Sequence, residues 1–225
     1  MRDGDKMINS YDRDNFWVLN WLDKFMVGHS GFICGGCFKN IFNKEKVKDI
    51  DIFFESQNDW DKAVEYYDNL TVGYWTEDGG EVSEDEAEYI FYYENDNVKA
   101  YKHIETGTVI ELCCKIFGTA EEILNQFDFT ITKFAYYKEA VEDEDGKSIV
   151  YRVMYDDCFF EHLHMKRLVT DKNILFPMST FERMLRYAKY GYFPCKETKM
   201  KIIQAIRNLS KKQVKLSESL YDGMD

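Results

Sequence analysis

Apolar side chains recur along this chain at helical and at strand spacings, and the changes between them mark out the elements. Between residues 12 and 25, Phe16, Trp17, Leu19, Leu22 and Phe25 fall close to helical spacing, with Ser10 in place as an N-cap. Residues 32–34 form a short apolar strand, Gly35-Gly36 a turn, residues 37–42 a short helix, and residues 47–54 (VKDIDIFF) a second strand. Ser56 precedes a helix through Trp60, Ala63, Val64 and Tyr67. Residues 89–93 and 98–104 alternate as two strands joined by the turn-rich Glu94-Asn95-Asp96-Asn97, and residues 109–117 add another. Thr119-Ala120-Glu121-Glu122 is a capping box opening a helix to Gln126, directly before an aromatic and β-branched strand over residues 127–134. A second box, Ser179-Thr180-Phe181-Glu182, opens a helix that Gly191 ends, and residues 199–208 form a last helix. The pattern predicts an α+β fold: a mixed sheet flanked by helices over residues 1–158, then a helical C-terminal subdomain over residues 159–225.

Composition narrows the class of protein. The chain of 225 residues is long enough for one substantial core, or for a head with a small helical tail. It has no run of apolar residues long enough to span a membrane, and the opening MRDGDKMINSYDRD is too charged for a secretory signal, so the expectation is a cytoplasmic protein without a membrane partner. Six scattered cysteines do not make a disulfide framework and are expected to be reduced. The net charge of −12 argues against a nucleic-acid partner, but it is unevenly placed. Residues 1–161 carry 16 Lys/Arg against 35 Asp/Glu, whereas residues 162–225 carry 13 against 6. The basic tail suits a nucleotide or RNA, or complements the acidic head; both readings stay open. The acidic runs at residues 77–88 and 142–145 read as solvated loops. Nothing in the sequence sets the oligomeric state.

The chemistry concentrates at residues 34–52. Side chains alternate faces along a strand, so Asp49 and Asp51 point the same way while Ile50 and Ile52 enter the core. Their Cα atoms lie about 7 Å apart. Such a pair can grip one divalent cation, or two about 3.5–4 Å apart if a third acid joins. Gly35 and Gly36, lacking Cβ, let backbone N–H groups approach an anion at a helix N-terminus. Cys34 and Cys37 also match C-x-x-C, but neither Cys113-Cys114 nor His162-Leu163-His164 supplies a convincing second pair for zinc.

Gly-Gly, then twelve residues (37–48), then Asp-Ile-Asp-Ile closely resembles the signature of the nucleotidyltransferase superfamily, which includes CCA-adding enzymes, poly(A) polymerases and the β-type DNA polymerases. The resemblance covers about residues 30–135. More loosely, FPMSTFERMLRYAKYGY at residues 176–192 is similar to the helix that follows the head in CCA-adding enzymes and bacterial poly(A) polymerases. The resemblance implies a third carboxylate on a later strand, for which Asp128 is the candidate, and two Mg²⁺ or Mn²⁺ ions held by Asp49, Asp51 and Asp128. It implies a triphosphate held by Gly35, Gly36, Cys37 and Lys39, with Arg183 and Arg186 reaching the nucleotide from one helix face. Cys37 stands where many members have serine, and Lys39-Asn40 where several have Arg-Asp; a thiol is the weaker donor and lysine a point charge. The implied activity is transfer of an NMP from an NTP to an acceptor hydroxyl with release of pyrophosphate. RNA, such as a tRNA 3′ end, is the first acceptor expected. The chain is short for the subdomains that measure tRNA, so a protein or small-molecule hydroxyl, or a non-catalytic nucleotide- or partner-binding role on the same fold, remains an alternative.

Overall fold

In the computed structural model, which describes residues 8–74, 80–143, 146–170 and 174–209, eight strands form one mixed sheet. They are β1 (Ile8–Asp12), β2 (Phe32–Cys34), β3 (Asp49–Phe53), β4 (Tyr89–Asn95), β5 (Val98–His103), β6 (Val109–Cys113), β7 (Phe134–Asp143) and β8 (Gly146–Asp156), in the order β1-β8-β7-β2-β3-β6-β5-β4. β3 and β6, near the middle, run parallel, and the other pairings are antiparallel. A parallel pair needs a long crossover. Here it holds helix α2 (Gln57–Asp68) and the β4–β5 hairpin.

Because each strand presents alternate residues to opposite faces, the sheet feeds two cores. One gathers Ile33, Ile50, Ile52, Ile110, Leu112, Phe134 and Tyr136 against a 3₁₀ segment (Arg13–Met26), a short helix α1 (Cys37–Phe42) and α2. The other gathers Phe32, Cys34, Phe53, Ala100, Cys113 and Ala135 beneath helix α3 (Ala120–Gln126), through Ala120, Ile123 and Leu124. The C-terminal helices α4 (Phe159–His164), α5 (Pro177–Lys189) and α6 (Lys196–Arg207) join the first core through Phe159, Leu163, Met184 and Ile202. A two-residue parallel pair, β9 (Arg167–Leu168) with β10 (Phe193–Pro194), links the stretches flanking α5.

Caps placed by short-range chemistry fall where expected. Ser56 accepts from the Asp59 N–H, and Thr119 and Glu122 make both bonds of the capping box. Four expectations need correction. Ser10 does not cap a helix: it lies in β1, opposite Met154 of β8, and the segment that follows is 3₁₀ with a break at Phe16. Residues 127–134 are not a strand. Thr130–Thr132 is a 3₁₀ turn and β7 begins only at Phe134; the Thr132 hydroxyl donates to the Phe129 carbonyl and Thr130 pairs with His162 Nδ1, local bonds that compete with a ladder. Ser179 and Glu182 lie inside α5, which opens at Pro177, where proline's fixed φ suits the first turn. The last helix starts at Lys196, capped by the Cys195 sulfur. Of the acidic run at 142–145, residues 142–143 end β7, and residues 144–145 lie outside the described residues; so do residues 77–79 of the other acidic run and Lys211, Lys212 and Lys215 of the basic tail.

Candidate active site

The registers of five strand pairs place one transverse row of side chains across the sheet. From β7 to β4 it reads Ala135, Cys34, Asp51, Glu111, Ala100, Tyr93. Adjacent strands lie about 4.8 Å apart, so Asp51 and Glu111 meet, and their carboxyl groups share a hydrogen bond. The residues on either side, Cys34 and Ala100, are small and fully buried. Tyr93 closes one end, its hydroxyl donating to Glu111 Oε1 at 2.7 Å. Asp49, two residues before Asp51 on the same strand face, is exposed; Asp51 and Glu111 are half-buried.

The glycine turn faces this row. Gly35 adopts φ +102°, and a Cβ there would lie 3.3 Å from Asp51 Oδ2 and 3.6 Å from the Phe127 ring. Its N–H is taken by the Phe134 carbonyl at 3.1 Å, which ties the turn to β7. A Cβ on Gly36 would lie 3.4 Å from the Tyr187 hydroxyl, so α5 reaches over the turn. The same tyrosine lies in the field of Arg183 and Arg186 from α5 and of Asp51 and Asp49 from β3. Tyr187 thus brings α5, which carries Arg183 and Arg186, over the bare backbone at the start of α1.

Burial, then Glu111, then Asp49 hold the Asp51 carboxyl well above the usual carboxylate range, and its hydrogen bond to Glu111 acts in the same direction. The folded chain thus favours the protonated form of the Asp51 carboxyl. Burial, followed by the charge of Asp51, likewise pushes up the thiols of Cys34, Cys37 and Cys113. All six cysteines are free, and these three are neutral, buried thiols, unlike reactive or metal-binding thiolates.

The predicted site residues separate into two groups. Gly35, Gly36, Asp49 and Asp51 come together with Arg183 and Arg186 close by. Cys37 is there too, but its side chain is packed in the core. Lys39 is turned elsewhere: its buried ammonium is held by Asn40 and by Glu45 at 3.2 Å, and lies 5.4 Å from the Tyr190 ring centre. Asp128, expected as the third metal ligand, accepts from Arg183 Nε and Nη2, both at 2.5 Å. That ion pair joins the segment following α3 to α5, while the acid beside Asp51 is Glu111. The signal for Glu111 in the sequence is faint, a single acid inside Val109-Ile110-Glu111-Leu112-Cys113. Its partner emerges only from the β3–β6 register.

Among the described residues no three Asp, Glu, His or Cys side chains are already gathered as a metal cage. The donor chemistry of the acidic row nevertheless suits a hard divalent cation. Two carboxylates held side by side, with a third adjacent, form an all-oxygen set that a cation would neutralise.

A glycine bend facing alternating acids on a mixed sheet, backed by an arginine-bearing helix, goes with a nucleotidyltransferase-like fold, which solved structures share. A CCA-adding enzyme in complex with ATP matches with a TM-score of 0.56 at 14% identity, over 94% of this chain and 51% of that one. The complex with CTP gives a TM-score of 0.54 at 15% identity, over 94% and 49%. The Thermotoga maritima CCA-adding enzyme complexed with tRNA gives 0.50 at 14% identity, over 89% and 46%. By sequence the chain belongs to the Gabija anti-defense 2 family, whose signature matches residues 10–166. A curated relative, Gabija anti-defense 2 of Bacillus phage SPbetaL7, is 23% identical over 197 residues, 87% of this chain and 41% of the relative. The chain thus spans less than half of that relative and about half of each solved enzyme. Among the described residues no helix is long and apolar enough to cross a membrane.

Proposed function

We propose that this protein is a metal-dependent nucleotidyltransferase, moving an NMP from an NTP to an acceptor hydroxyl, and that this chemistry serves an anti-defense role directed at Gabija. The observation that carries the reading is the contact between Asp51 and Glu111 beside the Gly35–Gly36 bend. Asp49, Asp51 and Glu111 would hold Mg²⁺ or Mn²⁺, two ions where all three acids engage. When bound, the cation neutralises the triphosphate and makes the acceptor hydroxyl more acidic. The chain's own residues supply the rest. Asp51 must be ionised to serve as a ligand. Gly36 and Cys37 offer backbone to the triphosphate, and Arg183 and Arg186 supply positive charge from α5. Holding the α-phosphate in line with the acceptor is then mainly a matter of position. Asp128 acts through Arg183 by fixing its guanidinium.

RNA as acceptor is supported by the basic charge of residues 162–225 and by the fold shared with an enzyme solved on tRNA. A protein hydroxyl is favoured by the excess of acid over residues 1–161. Incubation with Mg²⁺ or Mn²⁺, each labelled NTP, RNA and a host lysate tests both readings. Label is expected in one acceptor class, with Asp51→Asn and Glu111→Gln reducing transfer about 100-fold or more, as for loss of a charge-stabilising group. Full activity in Glu111→Gln with loss in Asp128→Asn would return the third-ligand role to Asp128. Nucleotide binding without pyrophosphate release would leave a binding protein.

A further inference from the structure

Strand β4 contains a bulge that the fold alone does not require. Phe91 stands opposite Tyr101 and Tyr93 opposite Ala100, so two steps along β4 match one step along β5. On an unbroken strand Phe91 and Tyr93 would share a face. The extra residue, Tyr92, turns Tyr93 to the opposite face, that of Ala100 and Glu111. Bulges interrupt the ladder and re-aim side chains. Ala100, fully buried, is the one residue between Tyr93 and Glu111 in the row, and its methyl leaves room for the ring to cross β5. At the end of that path the hydroxyl meets Glu111 Oε1 at 2.7 Å, while Asp51 holds the same carboxyl group from the other side. Ring packing alone would be served equally by phenylalanine.

We propose that Tyr93 is a positioning residue: its hydroxyl orients the Glu111 carboxylate within the acidic row and so sets the affinity of that row for a divalent cation. The inference rests on the reading of Asp49, Asp51 and Glu111 as a cation site. Its test is calorimetric titration of Mn²⁺, at fixed pH and without nucleotide, into wild type, Tyr93→Phe, Tyr92→Phe and Glu111→Gln. Wild type and Tyr92→Phe should bind alike, since Tyr92 is 53% exposed on the bulge. Tyr93→Phe should bind about tenfold or more weakly at an unchanged melting temperature, the usual scale for loss of a residue that orients a ligand. Ala100→Val, which keeps the hydroxyl but crowds the ring off its path, should weaken binding in the same direction and provides a second reading if Tyr93→Phe folds poorly. Wild-type affinity in both Tyr93→Phe and Ala100→Val would overturn the proposal. Absence of Mn²⁺ binding by wild type, or full binding by Glu111→Gln, would remove the cation site itself, and the proposal with it.

Discussion

Asp51 carries opposed demands on stability and chemistry. Its carboxyl is desolvated, abuts Glu111 and lies near Asp49, so the folded chain holds like charges together. An amide of the same shape can donate to Glu111 and carries no charge. Asp51→Asn should therefore stabilise the cation-free protein by about 0.5–2 kcal/mol, within the range seen when a strained functional residue is relieved, while abolishing transfer. Thermal melts with and without Mn²⁺ check this: the variant should melt higher than wild type without metal and gain nothing from its addition. A lower melting temperature would mean that the pair stabilises the fold, contrary to a site built for a cation.

Two glycines separate backbone strain from crowding at the level of the element. Gly35 and Gly146 both have positive φ, +102° and +124°. A Cβ on Gly35 meets Asp51 Oδ2 at 3.3 Å, whereas nothing lies within 4 Å of one on Gly146. Each alanine variant should cost about 1–2 kcal/mol for the unfavourable backbone conformation. Only Gly35→Ala should also weaken NTP binding, because its methyl enters the space between the turn and the acids. Denaturant melts together with nucleotide titration separate the two effects. Equal nucleotide affinity in wild type and Gly35→Ala would remove the turn from the binding site.

For the molecule as a whole, acid stability should depend on His29. This buried ring accepts from the Gly31 N–H through Nδ1 at 3.0 Å and donates from Nε2 to the Phe25 carbonyl at 2.9 Å. Burial lowers its pKa from 6.5 to about 4, the Phe25 bond opposing and Lys138 adding to the shift. The unfolded chain takes up this proton near pH 6.5 and the folded chain only near pH 4, so the neutral ring's contribution is complete above pH 6.5. It is lost as pH falls toward 4, and the shift corresponds to about 3 kcal/mol. Asp51 acts in the opposite sense, since its raised pKa relieves repulsion as pH falls. Denaturant melts of wild type and His29→Gln between pH 7 and 4 should show the wild type losing about 3 kcal/mol relative to the variant; parallel curves would show that His29 protonates without cost.

What could be read from residues in order was what short-range chemistry controls. The Ser56 and Thr119 caps, the β4–β5 hairpin, and the Gly-Gly turn followed by alternating acids all depend on neighbours within a few positions, and each lies where the pattern placed it. β1 escaped notice because it pairs with β8 across more than a hundred residues of chain. Residues 127–134 looked extended, yet a turn won because threonine hydroxyls found partners in Phe129 and His162. The pairing of Asp51 with Glu111, the commitment of Asp128 to Arg183 and the reach of Tyr93 across Ala100 are facts of register and packing. Local sequence restricts which acids can share a strand face. Only the assembled sheet decides which strand lies beside which, and therefore which carboxylates meet.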